Sequence, residues 1–227
     1  MIAAVVNGLA IVLGAVLGVF LKKGLPERVR TVLTAGMGLG TMLIGLRGAV
    51  RTESELMLLL SLILGGALGA LIGIEKGLSR FGDRIQARFA AGGGEQDIGR
   101  AFVSATLIFC VGSMAIVGSL NAGLRGEYGT IFAKSLIDGV MSIVLASTMG
   151  IGVALSGAAV FIYQGAITLL AGLLKPVLTD RAVLEMSAVG GLLIMGIGLN
   201  MIRDRHLPVG DLLPSMFLPL VLVPLMG

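Results

Sequence analysis

Uncharged apolar runs follow one another along the chain, separated by short polar breaks. They cover 1–21, 31–46, 56–74, 101–124, 139–174, 186–202 and 212–227. A helix of about 20 apolar residues matches the roughly 30 Å hydrocarbon core of a bilayer, so six of these runs fit one membrane-spanning helix each. The run 139–174 is 36 residues long. As one helix it would extend about 54 Å, so it must fold back on itself. The break is expected between Gly150-Ile151-Gly152 and Ser156-Gly157, where small residues interrupt the Leu/Ile/Val pattern. The pattern thus predicts an all-α, polytopic transmembrane helix bundle of about eight spans, forming a single integral membrane domain over 1–227.

The polar breaks carry helix-end chemistry. Gly24 and Pro26 separate spans one and two, and Thr52 with Glu55 is spaced as a capping box for span three. Pro176 ends span six, and Thr179 or Asp180 can cap span seven. Pro214, Pro219 and Pro224 predict that span eight is kinked or partly unwound. Residues 76–91 read differently. Leu78, Phe81, Ile85 and Phe89 fall on one helical face, with Lys76, Arg80, Arg84 and Arg88 largely on the other. That is the pattern of a short helix lying on a membrane surface, or else of a solvated basic loop. Gly92-Gly93-Gly94 then reads as a flexible joint, so 76–100 forms a cytoplasmic connector ahead of spans four and five over 101–156.

Composition agrees with the pattern: 56% of residues are hydrophobic and 13% charged, against about a quarter charged in soluble domains. The formal net charge of +4 is accounted for by basic loops beside anionic lipid headgroups, and nucleic acid is not an expected partner. With the N-terminus outside, the loops after odd-numbered spans hold 11 basic residues and the opposite loops hold 6, namely Arg47, Arg51, Arg125, Lys134, Lys175 and Arg181. This bias predicts both termini outside. No Lys or Arg precedes the first apolar run, and Lys22 and Lys23 follow it, so the run is expected to be a retained helix rather than a cleaved signal.

An internal similarity relates 22–47 to 175–200 at a shift of 153 residues. Lys22, Leu25 and Arg28 correspond to Lys175, Leu178 and Arg181. Ala35, Gly38, Leu39 and Met42 correspond to Ala188, Gly191, Leu192 and Met195, and Ile44-Gly45-Leu46 to Ile197-Gly198-Leu199. One residue of slip later, Ser61 corresponds to Ser215. Spans one to three (1–75) therefore read as one repeat and spans six to eight (157–227) as a second. Five crossings separate each pair, an odd number, so the units would be inverted in the membrane, an arrangement that recurs in secondary transporters.

The candidate chemistry is sparse. Asp138 opens the long apolar run and shares a helical face with Ser135 and Ser142. A carboxylate there is costly unless it faces protein or water, so Asp138 is either a cation or proton site or an interfacial group paired with Lys134. Asn7, Asn121, Gln164 and Asn200 are intramembrane amides that line a polar path or hydrogen-bond between helices. Ser147 and Thr148 precede the predicted hairpin turn, whose backbone carbonyls, with Asp138 and Gln164, would form an oxygen-rich cation site. Glu185 reads as a surface partner of Arg181. The Gly-x-x-x-Gly motifs, such as Gly14 with Gly18 and Gly36 with Gly40, serve packing within the bundle or a homo-oligomer contact. The 12 methionines, with only Cys110 and His206 as other soft ligands, fit packing better than Cu(I) binding. No nucleotide-binding, metalloprotease or serine-nucleophile motif is present, so neither an enzyme nor a cofactor is expected.

Asn7-Gly8 with Gly14 and Gly18, the Lys-Lys-Gly-Leu-Pro turn at 22–26, Gly36-x-Gly38 through Ile44-Gly45-Leu46, and Ser135-Leu-Ile-Asp138-Gly139 together carry a resemblance. The chain resembles, over its whole length, the bacterial YqgA-like membrane protein family, filed as domain of unknown function 554. The resemblance implies a multi-pass protein of the bacterial cytoplasmic membrane and supplies no catalytic residues. The expected function is passive or ion-coupled transport of a small solute or ion through a site between the repeats. An ion channel and a non-transporting membrane scaffold are the alternatives.

Overall fold

The computed structural model describes residues 1–22, 26–77, 79–80, 98–111, 113–202 and 207–226. Its helices are α1 (Ile2–Lys22), α2 (Glu27–Ala49), α3 (Glu55–Ile72), α4 (Ile98–Cys110), α5 (Ser113–Leu124), α6 (Gly129–Met149), α7 (Gly152–Leu169), α8 (Ala171–Leu174), α9 (Asp180–Ile202) and α10 (Pro219–Met226), with a 3₁₀ turn at Leu213–Phe217. Six of them, α1, α2, α3, α6, α7 and α9, are long and apolar enough to cross a membrane. The run 101–124, expected as one helix, is instead α4 and α5, bent by 61° at their junction. The pair runs alongside α7 from one end to the other. Ile98 sits beside Gly152 at the start of α7, and Gly123 sits beside Thr168 at its end.

The eighth expected span falls short of a regular helix. Its prolines restrict it to the 3₁₀ turn and the short α10. The segment nevertheless runs back along α3, with Asp211 against Gly69 and Ser215 against Gly65. Glu75 Oε2 accepts the Gly210 N–H at 2.6 Å, and Asp211 Oδ1 accepts the Glu75 N–H at 2.8 Å. The proposed surface helix at 76–91 and its glycine joint lie almost entirely outside the described residues, as do Arg203, Arg205 and His206.

The fold-back of the long run is where the glycines place it. Gly150, at φ +84°, ends α6, and α7 begins two residues later. Ser54, not Thr52, caps α3 by accepting the Met57 N–H, because Thr52 is engaged elsewhere. Thr179 caps α9 through the Ala182 N–H, as its position suggests.

Two groups of helices flank the α4–α5 pair. In one, α1 packs parallel to α6 and antiparallel to α7, with Gly14 against Gly139 and Ser142, and Gly8 against Gly157. In the other, α2 packs antiparallel to α9. Gly38 meets the Gly198 carbonyl and Gly45 meets the Gly191 carbonyl, so close that a side chain at any of the four would strike backbone. Absent side chains let the backbones approach closely, and this packing holds helices together where lipid supplies no hydrophobic drive. The outward faces are apolar: Leu71 is 85% exposed, Ile72 72%, Leu136 73% and Leu173 75%. In water these would be a liability; in a bilayer they are the solvated surface.

Candidate polar site within the bundle

Four buried polar side chains meet where α1, α6 and α7 come together. Asp138 lies near the middle of α6 and Lys134 one turn before it, so the two share a face. Lys134 Nζ donates to Asp138 Oδ1 at 2.8 Å and to Oδ2 at 2.7 Å. Asn7, on the face of α1 turned to α6, donates through Nδ2 to Asp138 Oδ2 at 3.0 Å. The same Nδ2 donates to Gln164 Oε1 of α7 at 3.1 Å. Asn7 and Gln164 are 0% exposed, Asp138 4% and Lys134 7%.

The cluster is balanced in charge and incomplete in hydrogen bonds. Two of its buried polar atoms, Asn7 Oδ1 and Gln164 Nε2, have no partner. One is an acceptor and the other a donor, and each leaves a cost of about 1–3 kcal/mol if it stays unsatisfied. Cys110, the last residue of α4, is buried in the hydrophobic cluster against which Tyr163 of α7 packs.

The other expected site residues are elsewhere. Ser142, Ser147 and Thr148 donate back to carbonyls of their own helix, those of Gly139, Val144 and Leu145. The hairpin turn at Gly150 lies 12 residues, about 18 Å, along α6 from Asp138. Its first N–H is bonded to Ala146 and its carbonyl to Val153. The expected cation site of turn carbonyls with Asp138 and Gln164 is therefore not assembled, because α6 stays helical through Met149. Asn121 lines a separate cavity at the end of α5. Asn200 bonds the Leu207 backbone in both directions and ties down the end of α9.

Two charged side chains expected at the surface are buried. Lys134 is a buried member of the cluster rather than a loop charge. Glu185 is 0% exposed rather than a surface partner of Arg181. It accepts from Thr52 Oγ1 at 2.6 Å and from the Glu53 N–H at 2.8 Å, and so holds the α2–α3 turn against α9. Among the described residues no group of three His, Cys, Asp or Glu is placed to hold a metal ion.

Comparison with known proteins agrees with a membrane bundle and names no activity. The chain is 30% identical over 227 residues to "Uncharacterized membrane protein YdfK" of Bacillus subtilis (strain 168), covering 98% of this chain and 96% of that protein. It is 30% identical over 220 residues to "Uncharacterized protein YqgA" of Escherichia coli (strain K12), covering 96% and 94%. No solved structure matches it. The model of the family described as "Protein of unknown function (DUF554)" matches residues 2–224, and the chain belongs to that family.

Proposed function

We propose that this membrane protein is a transporter of a small solute or ion, passive or ion-coupled, with Asn7, Lys134, Asp138 and Gln164 as its central site. One observation carries the reading. A buried ion pair and two buried amides meet near the middle of α6, with Asn7 Oδ1 and Gln164 Nε2 left open. A scaffold would have no use for a half-satisfied polar network, which is worse than an apolar core. A bound water, ion or polar solute that accepts from Gln164 and donates to Asn7 would complete it.

The packing of α2 on α9 supports an inverted repeat around this site. The 153-residue shift carries Gly38 onto Gly191 and Gly45 onto Gly198. It therefore exchanges the Gly38–Gly198 contact with the Gly191–Gly45 contact, and the Met42–Gly198 contact with the Met195–Gly45 contact. Contacts that swap in this way are the signature of a two-fold axis. Because α2 and α9 are antiparallel, such an axis lies across the helices, in the plane of the membrane. We place the protein in the bacterial cytoplasmic membrane with both termini outside; moving Lys134 into the bundle sharpens the charge bias from 6 outer basic residues to 5 against 11.

The test is flux through proteoliposomes across a panel of small solutes and salts. Native protein should carry at least one of them well above empty liposomes, and Asp138→Asn and Gln164→Ala should fall to the empty-liposome rate. Native protein that carries none of the panel, or flux that persists unchanged in both variants, removes the reading.

A further inference from the structure

Asn7 and Gln164 are each held in one orientation, and the ion pair sets both. Asp138 takes the Lys134 ammonium on its two carboxylate oxygens, and as a carboxylate it offers Asn7 only acceptors. Asn7 must therefore turn its amide nitrogen to Asp138 Oδ2, 3.0 Å away. The same nitrogen lies 3.1 Å from Gln164, which must then present its oxygen. Turning Asn7 over would set oxygen against oxygen at Asp138, and turning Gln164 over would set nitrogen against nitrogen at Asn7. The remaining atoms are thus assigned. Asn7 Oδ1 accepts and Gln164 Nε2 donates, both without a partner and both on residues 0% exposed.

The same geometry excludes a charged occupant. Lys134 and Asp138 neutralise each other, and the amides carry no charge. A cation at Asp138 would displace the Lys134 ammonium into a buried site without a counter-charge, and an anion at Lys134 would strand the carboxylate; either buried charge is costly. At the two open atoms, a metal ion or an ammonium serves Asn7 Oδ1 and leaves Gln164 Nε2 unmet. An anion does the reverse. Only a molecule that both donates and accepts meets both atoms. Space sets its size. The chain of α1 lies against α7 on either side of the amides, with Gly8 at the Gly157 carbonyl and Met1 3.5 Å from where a Gly165 side chain would begin. The occupant is therefore small.

We infer that the cluster takes a small uncharged solute bearing both a hydrogen-bond donor and an acceptor, of the primary amide, urea or polyol class. The inference rests on the transport reading above and names its substrate class. The carbonyl or hydroxyl oxygen of the solute accepts from Gln164 Nε2, and its N–H or O–H donates to Asn7 Oδ1. Both amides are then fully satisfied, and the ion pair stays intact. Passage is electroneutral.

The test is solute entry into proteoliposomes, followed by stopped-flow light scattering under inward gradients of urea, acetamide or glycerol. The comparators are trimethylamine N-oxide, neutral overall but unable to donate, and sodium, potassium and chloride ions followed with ion-sensitive dyes. Native protein should speed at least one of the three probes about tenfold over empty liposomes, at a rate that an imposed membrane potential does not alter. Trimethylamine N-oxide and the ions should stay at the empty-liposome rate. Gln164→Met, which keeps the shape and removes the donor, should lose the gain while eluting as native protein does on gel filtration. Gln164→Glu, which puts an acceptor in its place, should lose it too. Probe flux that survives both variants overturns the inference, as does trimethylamine N-oxide carried as fast as the probes. Flux of an ion in place of the probes also overturns it and leaves the transport reading standing. Flux of none of these solutes or ions, nor of the wider panel above, removes both.

Discussion

Cutting one partner out of the buried ion pair should cost far more than cutting both. Lys134 and Asp138 share two contacts of 2.7–2.8 Å and are 7% and 4% exposed. Removing one member of such a pair strands a charge in the interior and costs about 3–5 kcal/mol, whereas replacing both by apolar residues of similar size is often neutral. The two single changes are unequal here. Asp138 lies nine residues into α6, about 14 Å deep, on a short side chain. Lys134 lies five residues in, about 8 Å, on a stem long enough to reach toward the interface. Lys134→Met should therefore cost about 5 kcal/mol and Asp138→Leu about 3 kcal/mol. The double variant should return to within about 2 kcal/mol of native, the remainder being the Asn7 Nδ2 hydrogen bond that Asp138 no longer accepts. Reversible unfolding in mixed micelles of increasing denaturing-detergent fraction measures all four proteins. Single variants that each cost under about 1 kcal/mol and simply add in the double would mean a solvated pair of the surface kind, and would refute the buried cluster.

Other consequences can be read in the same assay. Gly45→Ala and Gly191→Ala should each destabilise by about 1–3 kcal/mol, since the new methyl strikes the facing backbone. Gly36→Ala and Gly40→Ala, with nothing within 4 Å, should be neutral or stabilising by up to about 1 kcal/mol, and a loss at either would point to a covering partner. Glu185→Ala strands Thr52 Oγ1 and the Glu53 N–H, and should cost about 2–3 kcal/mol; an effect below about 0.5 kcal/mol would show that the α2–α3 turn does not depend on it. Gly150→Ala forces a side chain into φ +84°, ψ −160°, a region that is essentially glycine-only, and should cost about 1–3 kcal/mol, with no loss expected at Gly152 from backbone conformation alone.

The bundle was legible in the sequence because lipid imposes length and polarity together. The apolar runs gave the long helices, and the 36-residue run at 139–174 could only be a hairpin, which turns at Gly150 as its small residues indicated. The prolines of 212–227 foretold an irregular last segment. The bend between α4 and α5 was not legible, because 101–124 has the length and hydropathy of one helix. Asp138, Asn7 and Gln164 stood out because amides and carboxylates are rare in spans, yet their meeting could not be read, since each is on a different helix. Lys134 and Glu185 were misread for one reason. Each stands within a turn or two of a helix end, where a charge in sequence looks interfacial, and only the packing of α1 and of the Thr52 turn covers them. Ser142, Ser147 and Thr148 looked like a polar lining but spend their hydroxyls on their own helix, as Ser and Thr in spans commonly do.

The central claim is that the Asn7–Lys134–Asp138–Gln164 cluster receives a ligand. The most direct measurement is a high-resolution map of the protein in lipid nanodiscs, read at Asn7 Oδ1 and Gln164 Nε2. The account predicts ordered non-protein density within hydrogen-bond distance of both atoms, lost in Asn7→Ala. A dry cluster in which the two amides have turned to satisfy each other and the ion pair, with no density between them, would contradict it.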